Sequence, residues 1–146
     1  MAKQAHWGSV LSESYRDLRV WQRAMDLVAT VYSETRSFPK DELYGLVSQL
    51  RRAAVSIPSN IAEGKGRLTD RDRSHFFYQA RGSLLEVETQ ILIAQKLGYI
   101  AQPCSDKLME RSSEVGRMLN ALIQAIRRTE KSVVPNSEVE KSKADF

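Results

Sequence analysis

The fold is read most directly from DELYGLVSQLRRAAVSIPSNIAEG, residues 41–64. At 100° per residue its apolar side chains fall on one face of a helix: Leu43, Leu46, Val47, Leu50, Ala54, Ile57 and Ile61. We therefore predict a helix over residues 41–63, closed by Gly64 and Gly66. Pro58 could break this segment into two helices or kink a single one. The apolar phase is unchanged across Pro58, which favours one kinked helix.

Three further amphipathic segments flank this one, over residues 17–36, 69–97 and 105–131. Thr69 is a candidate N-cap, and the predicted core face of the 69–97 segment is Phe76, Ala80, Leu84, Val87, Ile91 and Ala94. Four helices joined by short loops, without strand alternation, predict an all-α fold: an antiparallel up-down-up-down four-helix bundle. We assign the bundle to residues 16–131, a flexible N-terminal arm to 1–15 and a disordered tail to 132–146.

A second apolar line repeats every seven residues along the 69–97 segment: Tyr78, Leu85 and Leu92. On a helical wheel it lies about 130° from the centre of the core face. One core does not easily bury both lines. We therefore predict that Tyr78, Leu85 and Leu92 form an interface between copies of the chain in a homo-oligomer.

The composition excludes several classes of protein. The chain has 146 residues, one cysteine and a net charge of +4. A single cysteine excludes an internal disulfide and a cysteine zinc site. No apolar run approaches the length of a membrane span, and the first fifteen residues do not resemble a signal peptide. We expect a soluble, cytoplasmic protein with no membrane partner, no metal and no cofactor.

The whole charge excess lies between residues 49 and 81, where seven basic residues face three acidic ones. The basic residues are Arg51, Arg52, Lys65, Arg67, Arg71, Arg73 and Arg81. They are either solvated helix ends or a site for a phosphate backbone. No aromatic residues interleave with them, so base stacking is not indicated.

Polar side chains run beside the core faces of the second and third segments, among them Gln49, Ser56, Asn60, Glu63, Ser83 and Glu86. If the two helices are antiparallel neighbours, these strips meet in a hydrogen-bonded polar seam that fixes their register. The alternatives are a small pocket around Glu63 and Glu86, or strips that are simply solvated. Neither a nucleophile nor a proton shuttle with a plausible partner is visible, so catalysis is not predicted.

Several motifs resemble one bacterial family. They are DLRVW at 17–21, ELYGL at 42–46, QLRRAAVSIPSNIAEG at 49–64, ARGSLLEVE at 80–88 and LGYI at 97–100. They are similar to the four-helix-bundle proteins encoded in intervening sequences of the 23S ribosomal RNA gene. The resemblance covers roughly residues 17–128 and implies an antiparallel bundle that assembles into a ring, a homopentamer in characterised relatives. A related branch, the accessory protein of diversity-generating retroelements, binds nucleic acid and a reverse transcriptase.

Together, these observations predict a non-enzymatic, oligomeric bundle that binds RNA or DNA weakly and without sequence preference. The alternative is a scaffold whose partner is another protein. A small-molecule or enzymatic role at Glu63 and Glu86 is a third hypothesis.

Overall fold

The computed structural model describes residues 14–133. Within that range the chain forms four α-helices and no strand: α1 (Arg19–Thr35), α2 (Leu46–Lys65), α3 (Asp70–Lys96) and α4 (Gln102–Val133). Two short 3-10 turns, Tyr15–Asp17 and Lys40–Glu42, precede α1 and α2. The predicted all-α, four-helix fold is confirmed. None of the described helices has the length and apolarity that crossing a membrane would need.

Each helix packs against two others, with α1 and α3 both in contact with α2 and α4. The contacts between α2 and α3 run in opposite sequence order. Gly64 lies against Phe77, while Ser56, two turns earlier, is hydrogen-bonded to Ser83, nearly two turns later. Neighbouring helices with this pattern are antiparallel, and the pair places the α2–α3 connection at one end of the bundle.

All four helices contribute to one hydrophobic core. Its largest fully buried apolar side chains are Leu27, Val31, Leu50, Ile57, Ile61, Val87, Ile91, Leu108, Val115 and Leu119. These positions follow the three- and four-residue spacing of the sequence pattern. The core therefore forms where the helical periodicity predicted it.

Helix α2 begins five residues later than predicted, and a residue of the preceding turn, Glu42, caps its first turn. The Glu42 carboxylate accepts a hydrogen bond from the Leu46 backbone N–H at 2.9 Å, which satisfies one of the free donors at the helix start. Leu43 lies in the preceding turn and is 48% exposed, so its assignment to the core face is wrong.

Pro58 lies inside α2, and the helix continues through it to Lys65. The hydroxyl of Ser59 donates to the carbonyl of Val55 at 2.9 Å, and the side-chain amide of Asn60 donates to the carbonyl of Ser56 at 2.8 Å. Two helices separated at Pro58 are therefore excluded. The kink itself stays a prediction.

Gly64 does not terminate α2 as predicted, because it is a buried residue within the helix and the cap is Gly66. A Cβ at Gly64 would lie 2.6 Å from Cε1 of Phe77. The missing side chain lets the Phe77 ring enter the core, where it is only 2% exposed. Phe76, the predicted core residue, is instead half-buried beneath the guanidinium of Arg67, 4.5 Å from the ring centre.

The other boundaries agree with the predictions to within a few residues. Thr69 caps α3 by accepting a hydrogen bond from the backbone of Asp72 at 3.2 Å. Helix α4 begins at Gln102 rather than Ser105 and continues to Val133, into the predicted tail. Residues 1–13 of the predicted arm and 134–146 of the tail lie outside the described residues.

We expect Gly64→Ala to lower the free energy of unfolding by about 1–3 kcal/mol, because the new methyl group overpacks against a buried ring. Gly82→Ala is the matched control, since a Cβ there meets nothing within 4 Å and alanine favours a helix interior. Urea unfolding of both variants tests this. Equal stability of the two variants would contradict it.

Tyr99 ties the α3–α4 connection to the turn before α2, at the opposite end from Gly64. Its ring packs on Phe38, with 5.8 Å between ring centres, and its hydroxyl donates to Oε1 of Glu42 at 3.3 Å. Burial of the ring, the negative charge of Glu42, the hydrogen bond to Glu42 and the charge of Asp41 all raise the pKa of Tyr99. Each of these favours the neutral phenol.

Because the folded-state pKa of Tyr99 is raised, its contribution to stability is complete below the unfolded tyrosine pKa of about 10. That contribution is lost as the pH rises through the higher, folded-state pKa. We expect Tyr99→Phe to be less stable near neutral pH and to lose less stability on alkalinisation than the wild type. Tyr44→Phe, at a residue 92% exposed, should follow the wild type. Urea unfolding at a series of alkaline pH values measures the difference.

Candidate functional site

Polar side chains near the middle of α2 and α3 are hydrogen-bonded to each other. The hydroxyls of Ser56 and Ser83 lie 2.9 Å apart, and the side-chain amide of Asn60 donates to Oγ of Ser56, also at 2.9 Å. Gln49 and Glu86 extend the seam away from Asn60, where they line a cavity of about 440 Å³ with Arg52, Ala53, Ser56, Ser83 and Gln90.

Glu63 lies outside this cavity, contrary to the pocket expected around Glu63 and Glu86. Its side chain is 59% exposed and lies 4.0 Å from the guanidinium of Arg67. Two helical turns, about 10 Å, separate Glu63 from Ser56 along α2. Because α2 and α3 are antiparallel, Glu63 and Glu86 lie on opposite sides of the Ser56–Ser83 contact along the bundle axis. The two carboxylates therefore do not share a pocket.

The second apolar line of α3 is only partly covered. Leu85 and Leu92 are 58% and 51% exposed, whereas Tyr78 is half-buried against the core. The guanidinium of Arg81 lies 4.9 Å from the centre of the Tyr78 ring, and that of Arg127 lies 5.7 Å from it. The contact between Tyr78 and Arg127 joins the first half of α3 to the last turns of α4.

The seven predicted basic residues do not form one patch. The guanidinium of Arg51 donates to the hydroxyl of Thr35 at 3.0 Å and lies over the Tyr32 ring, on the side of the bundle where α1 ends. Arg52 lines the seam cavity. From Arg51 to Lys65 the distance along α2 is about 21 Å.

Lys65, Arg67, Arg71 and Arg73 lie together around the α2–α3 connection. Arg73 pairs with Asp70 at 2.9 Å and also donates to the carbonyl of Arg67 at 2.9 Å. Arg71 is exposed and has no ion pair within the described residues.

The packing brings further basic residues to the same end. Tyr15 and Trp21, at the start of α1, share a groove with Ala62 near the end of α2, and the last turns of α4 reach Tyr78. This "basic end" therefore comprises residues 14–20, 60–75 and 124–131. Its basic residues include Arg16, Arg19, Arg127, Arg128 and Lys131, which the sequence analysis did not assign to the site.

The charge of the bundle is polarised along its axis. The basic end holds nine basic and five acidic residues, a net formal charge of +4. The opposite end, residues 33–47 and 93–110, holds four basic and five acidic residues, a net of −1. The stretches that make up each end are far apart in sequence, and only their packing brings the charges together.

Two other concave surfaces lie on α1. An apolar groove of about 310 Å³ between α1 and α2 is lined by Tyr15, Trp21, Met25, Val28, Val55, Pro58, Ser59 and Ala62. A charged cleft of about 550 Å³ lies between α1 and α4, where Arg23 pairs with Glu114 at 3.1 Å. Among residues 14–133, no group of three or more His, Cys, Asp or Glu side chains is arranged to hold a metal ion.

Comparison with known proteins gives one family. The model of the 23S rRNA-intervening sequence protein family matches residues 16–121. A solved structure from Bacteroides thetaiotaomicron VPI-5482, described as a protein with unknown function from the S23 ribosomal protein family, shares the fold. It has a TM-score of 0.67 and 17% sequence identity, over 72% of this chain and 95% of that one. Among curated proteins, none matches the chain.

Proposed function

The chain belongs to the 23S rRNA-intervening sequence protein family, and we propose that it is a non-enzymatic bundle that binds the phosphate backbone of RNA or DNA through its basic end. The observation that carries this proposal is the axial separation of charge, +4 at one end and −1 at the other. Neither the family nor the structural relative has an assigned catalytic activity.

The basic end suits a polyanion because its charges lie close together. Cations within a Debye length of about 8–10 Å act jointly on a polyanion at physiological ionic strength. Binding to phosphates then releases counterions, so affinity falls as salt rises. The stretch from Lys65 to Arg73, around the α2–α3 connection, alone contributes four basic residues within nine positions.

The residues of the basic end differ in how free they are to bind phosphate. Arg73 is partly neutralised by Asp70, and Arg67 is held between Phe76 and Glu63. Arg19, Arg71 and Arg128 have no ion pair among the described residues and are exposed. These three guanidiniums are the expected backbone contacts. The resulting binding is independent of sequence, since phosphate contacts carry no base information.

We expect Arg71→Ala with Arg128→Ala to weaken binding to single-stranded RNA and to duplex DNA alike. The slope of log affinity against log salt should fall by about 0.7–0.9 for each lost phosphate contact. The matched control is Arg36→Ala with Arg52→Ala, which also removes two exposed arginines but outside the basic end.

Fluorescence anisotropy of labelled RNA and DNA at several salt concentrations measures both slopes. Equal losses in the two double variants would contradict the assignment to the basic end. Binding that ignores salt, or no binding near physiological ionic strength, would contradict the proposed function itself.

We also propose that copies of the chain associate through the exposed leucines of α3, Leu85 and Leu92. Both are more than half exposed, and they lie on one side of the helix, two turns apart. Burying these two leucines between copies removes apolar surface from water. It leaves the packing of the core unchanged, because neither leucine belongs to the core. A ring of copies would also place several basic ends on one nucleic acid.

Light scattering should give a mass several times 16.6 kDa, and Leu85→Glu with Leu92→Glu should lower it, because two buried carboxylates oppose association. Leu68→Glu is the control, at a leucine that is 92% exposed in a connection. A wild type of 16.6 kDa would contradict self-association. It would favour the alternative role, a scaffold that presents the same leucines to another protein.

A further inference from the structure

The cavity between α2 and α3 has no part in the surfaces proposed above. Its polar lining residues are Gln49, Arg52 and Ser56 on α2 and Ser83, Glu86 and Gln90 on α3. The contact between Ser56 and Ser83 sets an antiparallel register that pairs Arg52 with Glu86 and Gln49 with Gln90 by their level along the axis. Successive pairs are about one helical turn apart, roughly 5 Å. The cavity has a volume of about 440 Å³ and is open to solvent, since Gln49, Arg52 and Glu86 in its lining are exposed.

Only the first of these pairs is closed. The hydroxyls of Ser56 and Ser83 meet at 2.9 Å. Arg52 and Glu86 both line the cavity and are exposed, and neither forms an ion pair or a hydrogen bond with a described residue. Oε1 of Gln90 is buried and accepts no hydrogen bond.

The hydrogen-bonding capacity of Arg52, Glu86 and Gln90 indicates which class of solute fits the cavity. The guanidinium of Arg52 offers only donors and matches a carboxylate. The carboxylate of Glu86 and the amide oxygen of Gln90 both accept hydrogen bonds, and of the two only the Gln90 oxygen is buried without a donor. A zwitterion is the class of solute whose two opposite charges can contact both Arg52 and Glu86 at once.

We propose that this cavity binds a small zwitterion of the α-amino acid class. Its carboxylate accepts hydrogen bonds from Arg52, and its ammonium group donates to Glu86 and to Oε1 of Gln90. The paired hydroxyls of Ser56 and Ser83 and the methyl group of Ala53 form the remaining wall. The proposal does not rest on nucleic-acid binding or on self-association.

Calorimetry with the full chain tests the proposal, using glycine, L-alanine and L-glutamine as probes up to millimolar concentration. We expect saturable binding of at least one of the three. Trimethylglycine is the control compound, because it keeps the carboxylate and the positive charge but has no N–H donor. It should bind at least about tenfold more weakly, as the loss of charge-assisted hydrogen bonds requires.

The variants locate the site. Arg52→Gln and Glu86→Gln each remove one charge from an exposed residue, and each should weaken binding about tenfold or more. Lys107→Gln removes an exposed charge from the cleft between α1 and α4 and should leave binding unchanged. Circular dichroism verifies that all three variants fold.

Three results would each overturn the proposal: no saturable binding of any probe, equal binding of trimethylglycine, or a variant series in which Glu86→Gln binds as the wild type does. A measured heat that depends on protein concentration and not on the probe would indicate that the cavity lies at a contact between copies of the chain. That result would also overturn the proposal.

Discussion

The close approach of α2 to α3 is the constraint on which the rest of the structure depends. Gly64 leaves room for the Phe77 ring at one end of this helix pair, and the hydroxyls of Ser56 and Ser83 meet nearly two turns away. A ring seated against a glycine and a hydrogen bond between small side chains both tolerate little sliding. Together they fix which residues of α2 face which residues of α3. The polar cavity and the position of the α2–α3 connection both follow from this register.

The same helix pair explains how the surface divides into regions of different chemistry. The α2–α3 side is polar: the hydroxyls of Ser56 and Ser83 meet there, and Arg52 and Glu86 line the adjoining cavity. The α1–α2 side is apolar, and Trp21, Met25 and Pro58 line its groove. The side of α3 towards α4 carries the exposed leucines beside a tyrosine flanked by arginines. Each region suits a different class of contact: a polar solute, apolar surface, or a second copy of the chain.

Much of the fold followed from local pattern, and the errors have local causes. Leu43 has the right spacing for the α2 core face. However, the Glu42 carboxylate accepts a hydrogen bond from the backbone of Leu46, where α2 begins, so Leu43 precedes the first turn of the helix. Phe76 and Phe77 are both compatible with the spacing of the α3 core, and the gap at Gly64 selects Phe77. A wheel calculation contains no information on which ring a neighbouring helix can admit. The predicted polar seam included Glu63 because Glu63 and Ser56 share an angular position on α2. The two residues nevertheless lie two turns apart along the helix axis.

The number of helices, their approximate limits and most of the core follow from the amino-acid pattern alone, because the helical period converts apolar spacing directly into a buried face. The sequence also identified the family, whose model spans residues 16–121. The tertiary structure decided which charges act together. Arg51 and Arg67 are close in sequence yet belong to opposite parts of the bundle, whereas Arg19, Arg71 and Arg128 come from three helices and lie at one end. The interaction between two charges depends on their distance in space. That distance is set by how the helices pack and not by the number of residues between the charges along the chain.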